Sequence, residues 1–459
     1  MNALVPACPR VPTCPRVRRR SAPGAVLHPA AARRRSFLPP GKPFNLLSAA
    51  GRVDDPPNGG NDRMSGERTT RAWAAIAAVT VMNLPLGSIY AFSVFLKPIE
   101  TELGLARSAL SLVFGLASIG FTVGMLAAPY AYGVASAPRL AAICSGAAAV
   151  GIALSGLADG LPLLLVGYGI LFGIGGGAAY IVAQQSVNLL VTRRRGLVNG
   201  YIVALYPAGA MVAAPLFGWA NQEFGYRWTM GGLAVTLVLT GIGAVFLLRH
   251  SGVVLPRSSA SSGATGGHTA IFVRLFTVFF VAAASGLTVL SQAAGIIEAY
   301  GGTMAMALAS TTAITGAIAV ARVSGGWLTD RFAVPHVAAF AQGFALVGAV
   351  SLAVWPNPLV AAVALGMVGM GYGFISGCTA GAIAAYWPAA AYGKVAGRIY
   401  IAWCIAAISL PILAGHLFDL TQGYHATVLI AGCGNLIGVI VALGLPRKPL
   451  PVAGTVSRA

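Results

Sequence analysis

Arg322 stands near the end of a long apolar run that closes Ala321-Arg322-Val323-Ser324-Gly325-Gly326-Trp327-Leu328-Thr329-Asp330-Arg331. A charge deep in such a run is costly enough to mark a functional site whose partner has to be found. Asp330 lies eight residues on, roughly 12 Å along a helix, which is further than a guanidinium comfortably reaches back to a membrane surface. Two roles suit the side chain. It can present its planar fork of N–H groups to a carboxylate, or it can serve as a strut satisfied by helix carbonyls. No acidic residue falls mid-run: Asp159, Glu298 and Asp419 stand at run ends. A lone buried cation without a counter-ion is expensive, so an arriving carboxylate is the expected partner.

Other side chains can gather near that charge. Tyr180 follows the run Gly173-Ile174-Gly175-Gly176-Gly177 by three residues. The glycines lie in a helix-length apolar segment with no acid about 20 residues on, so they read as close helix packing and not as a dinucleotide loop. They would thin the helix and let Tyr180 face a central cavity. Gln184, Gln185, Asn188 and Gln292 are polar residues placed to orient a substrate, and Tyr90, Tyr206, Tyr400 and Trp403 are aromatic candidates. Each aromatic also suits ordinary lipid or core packing. The six cysteines have no metal spacing and imply no disulfide. No mid-run carboxylate pair and no nucleophile–histidine pair is present, so we expect no enzyme, no metal and no cofactor. With no mid-run carboxylate or histidine to relay protons (His416 stands near the outer end of its run), antiport and facilitated movement both remain open.

These residues need a scaffold, and composition names its class. Hydrophobic residues make up 57% of 459 positions and charged ones 9%, far below the roughly 25% charged residues of soluble domains. Apolar runs fall at about 72–96, 108–133, 137–157, 161–190, 196–222, 228–248, 271–299, 303–328, 335–355, 357–386, 393–418 and 424–446. Each can cross a bilayer core as a helix. The expected fold is an all-α polytopic membrane protein of twelve transmembrane helices in two pseudo-symmetric six-helix bundles. The net charge of +19 does not indicate nucleic acid. Of 30 Lys and Arg, thirteen precede Trp73, thirteen lie in alternate loops and the C-terminal tail, and only three lie in the other loops. That asymmetry places both termini in the cytoplasm, in a cell (inner or plasma) membrane, with the bilayer and a small carboxylate as partners and a monomeric state expected.

The two halves are related at an offset of 197: Gly104 meets Gly301, Pro138 Pro335, Gly176 Gly373, Gly196 Gly393, Gly200 Gly397, and Gly218 Gly415. Parallel six-helix repeats suit alternating access, with a site midway between them. The expected boundaries are a basic tail over 1–70, a first bundle over 71–248, a cytoplasmic linker over 249–270, a second bundle over 271–446 and a tail over 447–459. Residues 1–63 are rich in Pro and Arg, without apolar periodicity. They read as a transit peptide, a lipid-binding basic tail, or sequence upstream of a start at Met64, the reading preferred here.

Gly326-Trp327-Leu328-Thr329-Asp330-Arg331 resembles the signature loop of the major facilitator superfamily, Gly-x-Leu-x-Asp-Arg. The resemblance makes Gly326, Asp330 and Arg331 a cytoplasmic gate. The equivalent first-half loop, Ala128 to Val134, lacks the acidic–basic pair and has Gly133 where Asp330 sits, so latching should be lopsided. Within that superfamily the chain, over roughly 70–446, looks most like the oxalate/formate antiporter group and, more distantly, the monocarboxylate transporters. This rests on Gly87-Ser88-Ile89-Tyr90-Ala91-Phe92-Ser93, Gly173 to Tyr180, Arg194-Arg195-Gly196-Leu197-Val198-Asn199-Gly200, and Arg322. In both groups an Arg in span eight binds the anion. Oxalate carriers add a Lys in span eleven, where this chain has Trp403 or Cys404. The implied function is transport of a small organic anion, most simply a monocarboxylate. The alternatives are dicarboxylate exchange and efflux of hydrophobic compounds with Arg322 structural.

Overall fold

The computed structural model describes residues 61–256 and 266–447. The basic tail up to residue 60, the centre of the expected linker and residues 448–459 lie outside them. Among the described residues, eleven helices are long and apolar enough to cross a membrane. One of them, Arg195–Ser251, is two spans in a single run, because Gly225 takes φ +80° and breaks the helix. Twelve spans result, as expected. They are α1 (Thr69–Ala91), α2 (Arg107–Ala131), α3 (Ala137–Gly156), α4 (Leu161–Leu190), α5 (195–224), α6 (226–251), α7 (His268–Ala299), α8 (Met304–Thr329), α9 (Val334–Val354), α10 (Pro358–Tyr386), α11 (Ala389–Thr421) and α12 (His425–Leu443). Helices satisfy their own backbone polar groups, which is the condition for crossing lipid. Leu, Val and Ile stand exposed along the bundle, for instance Val212, Leu239, Ile412 and Ile440, as a surface facing acyl chains requires.

The spans differ from the expected runs mainly at their ends. Span one does not run smoothly to residue 96. It tightens into a 3₁₀ turn over Gly87–Ala91 and resumes as a separate helix, Ser93–Leu103. The helices also reach into the expected linker, with α6 ending at Ser251 and the helix of α7 beginning at Gly266. In α4 a π-helical stretch over Leu165–Phe172 precedes the glycine-rich turn.

Small residues set how closely the spans cross. A Cβ on Gly173 would stand 2.6 Å from the Ala117 carbonyl, and one on Gly177 would run into that of Phe121, so α2 and α4 touch backbone to backbone. Gly87 meets the backbone of Tyr206, and Gly209 that of Leu84, which locks α1 against α5. The repeat is visible in the same terms. A Cβ on Gly200 would lie 2.6 Å from the Arg322 carbonyl, and one on Gly397, its partner at the 197 offset, 2.7 Å from the Met125 carbonyl. Arg322 and Met125 are themselves partners at that offset.

Charge separates the two ends of the bundle. One end, called here the basic end, carries Arg139, Arg193 to Arg195, Arg249, Arg331, Lys394 and Arg398. The other carries Glu100, Glu102, Asp159, Glu223, Glu298 and Asp419. There Arg227 pairs with Glu102 and Asp159, and Arg107 with Glu100.

Candidate functional site

Arg322 lies on α8 between α5 and α10, and glycine is the reason it can. Gly200 faces its carbonyl from α5, while Gly377 on α10 abuts the same carbonyl from the other side. The side chain is 4% exposed. Its Nη1 donates to the Val203 carbonyl (3.0 Å) and its Nη2 to the Tyr372 hydroxyl (3.0 Å), with the Tyr372 ring centroid 5.2 Å from Cζ. The Val203 carbonyl is available because residue four on, Pro207, has no N–H to complete the helical bond. The Nε–H of Arg322 is buried without a partner. No ion pair reaches the guanidinium among the described residues.

A cavity of about 40 Å³ opens beside it. One water needs roughly 10–15 Å³ of such space, so the cavity suits a few waters or one small anion. Five of the sequence-predicted residues line it together with Arg322: Tyr90, Tyr180, Tyr206, Tyr400 and Trp403. Their rings form a box. Tyr90 lies 6.4 Å from Tyr206 and 6.1 Å from Trp403, and Tyr180 lies 5.1 Å from Tyr206 and 5.9 Å from Tyr400, centroid to centroid. Tyr206 and Trp403, partners at the 197 offset, flank the same space from α5 and α11. Two polar groups on this lining are buried without a hydrogen bond of good geometry, the Tyr400 hydroxyl and the Trp403 Nε1–H. With the Arg322 Nε–H, three potential donors therefore surround the cavity unspent.

Gln184 is not brought to the cavity. Its amide stands behind Tyr180, donating to the Tyr180 hydroxyl at 2.9 Å, and α4 buries it completely. Asn188 is tied to the Gln184 carbonyl and to Asn199, with which it exchanges amide bonds of 2.8 and 2.9 Å. It pins α4 to α5. Gln292 accepts from the Tyr424 hydroxyl at 3.3 Å and joins α7 to the turn before α12. The lining also includes Tyr372, Phe121, Met125, Phe279 and Ser376, which sequence reasoning missed. For Tyr372 a signal was present, since it stands between Gly371 and Gly373 much as Tyr180 follows Gly177.

The basic end is closed by contacts between the halves. The Asp330 carboxylate accepts from the N–H groups of Gly196 and Leu197 (2.8 Å each), the first turn of α5. A carboxylate there satisfies free backbone donors and complements the positive end of the helix dipole. Gly326 packs on Gly196 and Gly200. Arg331 lies over the Trp327 ring, 4.4 Å from its centroid. In the equivalent first-half loop Gly133 has φ +82°, and Tyr132 is buried and donates to the Ile181 carbonyl. Burial raises the Tyr132 phenol pKa well above its ordinary value and keeps it a neutral donor.

A family model described as Major Facilitator Superfamily matches residues 78–408. Monocarboxylate transporter 11 of Mus musculus is 27% identical over 327 residues, covering 65% of this chain and 70% of that protein. Probable nitrate/nitrite transporter NarK2 of Mycobacterium tuberculosis is 27% identical over 392 residues, covering 82% and 95%. Over a shorter stretch of 199 residues, the oxalate:formate antiporter of Oxalobacter formigenes is 22% identical, covering 42% and 43%. In fold the chain is similar to the proton:xylose symporter XylE, with a TM-score of 0.65 at 16% identity over 83% of this chain and 97% of that one. The family model covers most of the chain, and the chain belongs to the Major Facilitator Superfamily as a multi-pass membrane transporter.

Proposed function

We propose that the protein carries a small organic anion of single charge, most simply a monocarboxylate, by alternating access. The observation that carries this reading is the Arg322 Nε–H, buried and unspent beside the Tyr400 hydroxyl and the Trp403 Nε1–H. Neutralising a buried guanidinium needs a counter-charge, and no lining residue is acidic. The cargo completes the pair. A single cation balances one carboxylate better than two, which sets dicarboxylate exchange behind monocarboxylate transport. The two bonds to Val203 and Tyr372 support orientation of the fork and not a purely structural strut, because they engage two of its five N–H groups and leave the Nε–H without a partner.

The relatives' printed names span monocarboxylate, oxalate/formate and nitrate/nitrite transport. A cavity of about 40 Å³ favours the small end of that range. A planar inorganic oxyanion such as nitrate is therefore the second reading, because it offers the same charge and the same acceptor geometry as formate. In this proposal the basic end faces the cytoplasm, Asp330 latches it shut, with Gly326 and Arg331 supporting the closed contact, and the site is reached from the opposite side.

The test uses purified full-length protein in a thermal-shift panel of formate, acetate, lactate, oxalate and nitrate, followed by exchange of the labelled anion in proteoliposomes. A ligand at 100 times its Kd stabilises by about 2.7 kcal/mol, a readily measured shift. Truncating one partner of a buried charge pair costs about 2–5 kcal/mol, so Arg322→Gln should lose the shift and slow exchange by about 30-fold or more. Normal transport by a well-folded Arg322→Gln protein would sink the assignment. Uncharged hydrophobic ligands that stabilise both proteins equally would favour efflux of such compounds instead.

A further inference from the structure

Two helices begin at the basic end against the opposite half, and each exposes backbone N–H groups there. On α5 the N–H groups of Gly196 and Leu197 are taken by Asp330. On α11 the residue equivalent to Gly196 at the 197 offset is Gly393, and the residue equivalent to Asp330 is Gly133, which has no side chain. The Gly393 N–H is nevertheless satisfied. It donates to Gln185 Oε1 at 2.6 Å, while Gln185 Nε2 donates to the Ala389 carbonyl at 2.8 Å.

Gln185 belongs to α4 in the first half, and Ala389 and Gly393 to the opening turn of α11 in the second. The amide is completely buried. One side chain thus holds both a carbonyl and an N–H of the same turn. The fit is close: a Cβ on Gly393 would stand 2.9 Å from the Tyr132 hydroxyl and 3.1 Å from Gln185 Oε1, so only glycine admits the approach without displacing one of them.

We infer that Gln185 is the second latch between the halves, a neutral amide clamp standing where the repeat predicts a carboxylate. It is also a positioning residue. α4 carries Tyr180, five residues before Gln185, and α11 carries Tyr400, seven residues after Gly393. The clamp therefore sets the spacing of two spans that face each other across the cavity, and opening the basic end breaks both of its bonds together. Asp330 attracts a helix terminus through its charge and is subject to salt screening. Gln185 carries no charge, so its grip does not weaken as salt is added.

The clamp acts whatever the cargo is, and no cargo need be present to observe it. Nitroxide labels at Val134 and Phe332, both exposed and on opposite halves at the basic end, report the inter-half distance by pulsed electron resonance. The measurement uses full-length protein in lipid nanodiscs with the accessible cysteines replaced. Gln185→Met keeps the volume and deletes both polar atoms, and Gln185→Ala removes the side chain. Losing two hydrogen bonds of ordinary strength should raise the ratio of long-distance (open) to short-distance (closed) populations by about tenfold in either variant. Gln342→Ala is the control, because Gln342 is an equally buried amide bonded to the Val278 carbonyl within the second half. It should leave the distances unchanged. Wild-type distributions in both Gln185 variants overturn the inference, and so does an equal shift in Gln342→Ala, which would mean general loosening.

Discussion

Arg322 and Met125 occupy matching turns of the two halves, each with its carbonyl under a glycine of the neighbouring span and its side chain on the same cavity. One is a cation with two hydrogen bonds and the other a thioether. The backbone opposite explains much of the difference. Facing Arg322, Pro207 leaves the Val203 carbonyl without its helical donor, and the guanidinium takes it. In the matching place on α11 stands Cys404, whose N–H, with that of Trp403, already engages the Tyr400 carbonyl. A charge at position 125 would find no such acceptor on α11. A symmetric scaffold has become chemically one-sided through a missing N–H.

The sharpest way to break this comparison is to push on the two carbonyls. Gly200→Ala and Gly397→Ala each overpack a backbone crossing, at a cost of about 1–3 kcal/mol, so both should lower the melting temperature to a similar degree. Only Gly200→Ala moves the turn that carries Arg322. It should weaken anion binding by about tenfold or more by thermal-shift titration, while Gly397→Ala keeps affinity and loses transport rate. Equal losses of affinity would erase the distinction.

A finer test removes the second partner of the guanidinium. Tyr372→Phe leaves a buried N–H unsatisfied, worth about 1–3 kcal/mol, and should weaken anion binding with little change in the maximal rate of exchange. The smallest effect is expected at the basic end. Asp330→Asn keeps an acceptor for the first turn of α5 but loses the charge, at a cost of about 0.3–1 kcal/mol at low ionic strength. The Val134–Phe332 distance should shift modestly towards the open state, and the shift should fade as salt is raised.

Much of the architecture was legible because it rests on composition and on glycines. Twelve apolar runs gave twelve spans, with the sixth separated from the fifth at Gly225. One matched pair, Gly200 and Gly397, makes matched backbone contacts, and another, Gly104 and Gly301, shares a positive φ. Arg322, Tyr90, Tyr180, Tyr206, Tyr400 and Trp403 line one cavity. Helix phase was harder to read. Gln184 and Gln185 are neighbours in sequence yet point about 100° apart, one behind Tyr180 and the other across to α11. Along α4 nearly every position from Gly173 to Asn188 is buried, so no polar face exists from which the phase could be read. Tyr372 was missed for the same reason on α10. The Val203 carbonyl is a backbone group, visible in the sequence only through the proline four residues later.

The separation of charge between the two ends also bears on direction. The anionic cargo proposed above, approaching Glu100, Glu102, Asp159, Glu223, Glu298 and Asp419, would meet a mouth only partly neutralised by Lys97, Arg107 and Arg227. At the other mouth the arginines enrich it, within a Debye length of about 8 Å at physiological salt. One binding site then has two apparent affinities, weaker from the acidic side and tighter from the basic side. For the anion proposed above, that asymmetry would lie in the rims and not in the centre.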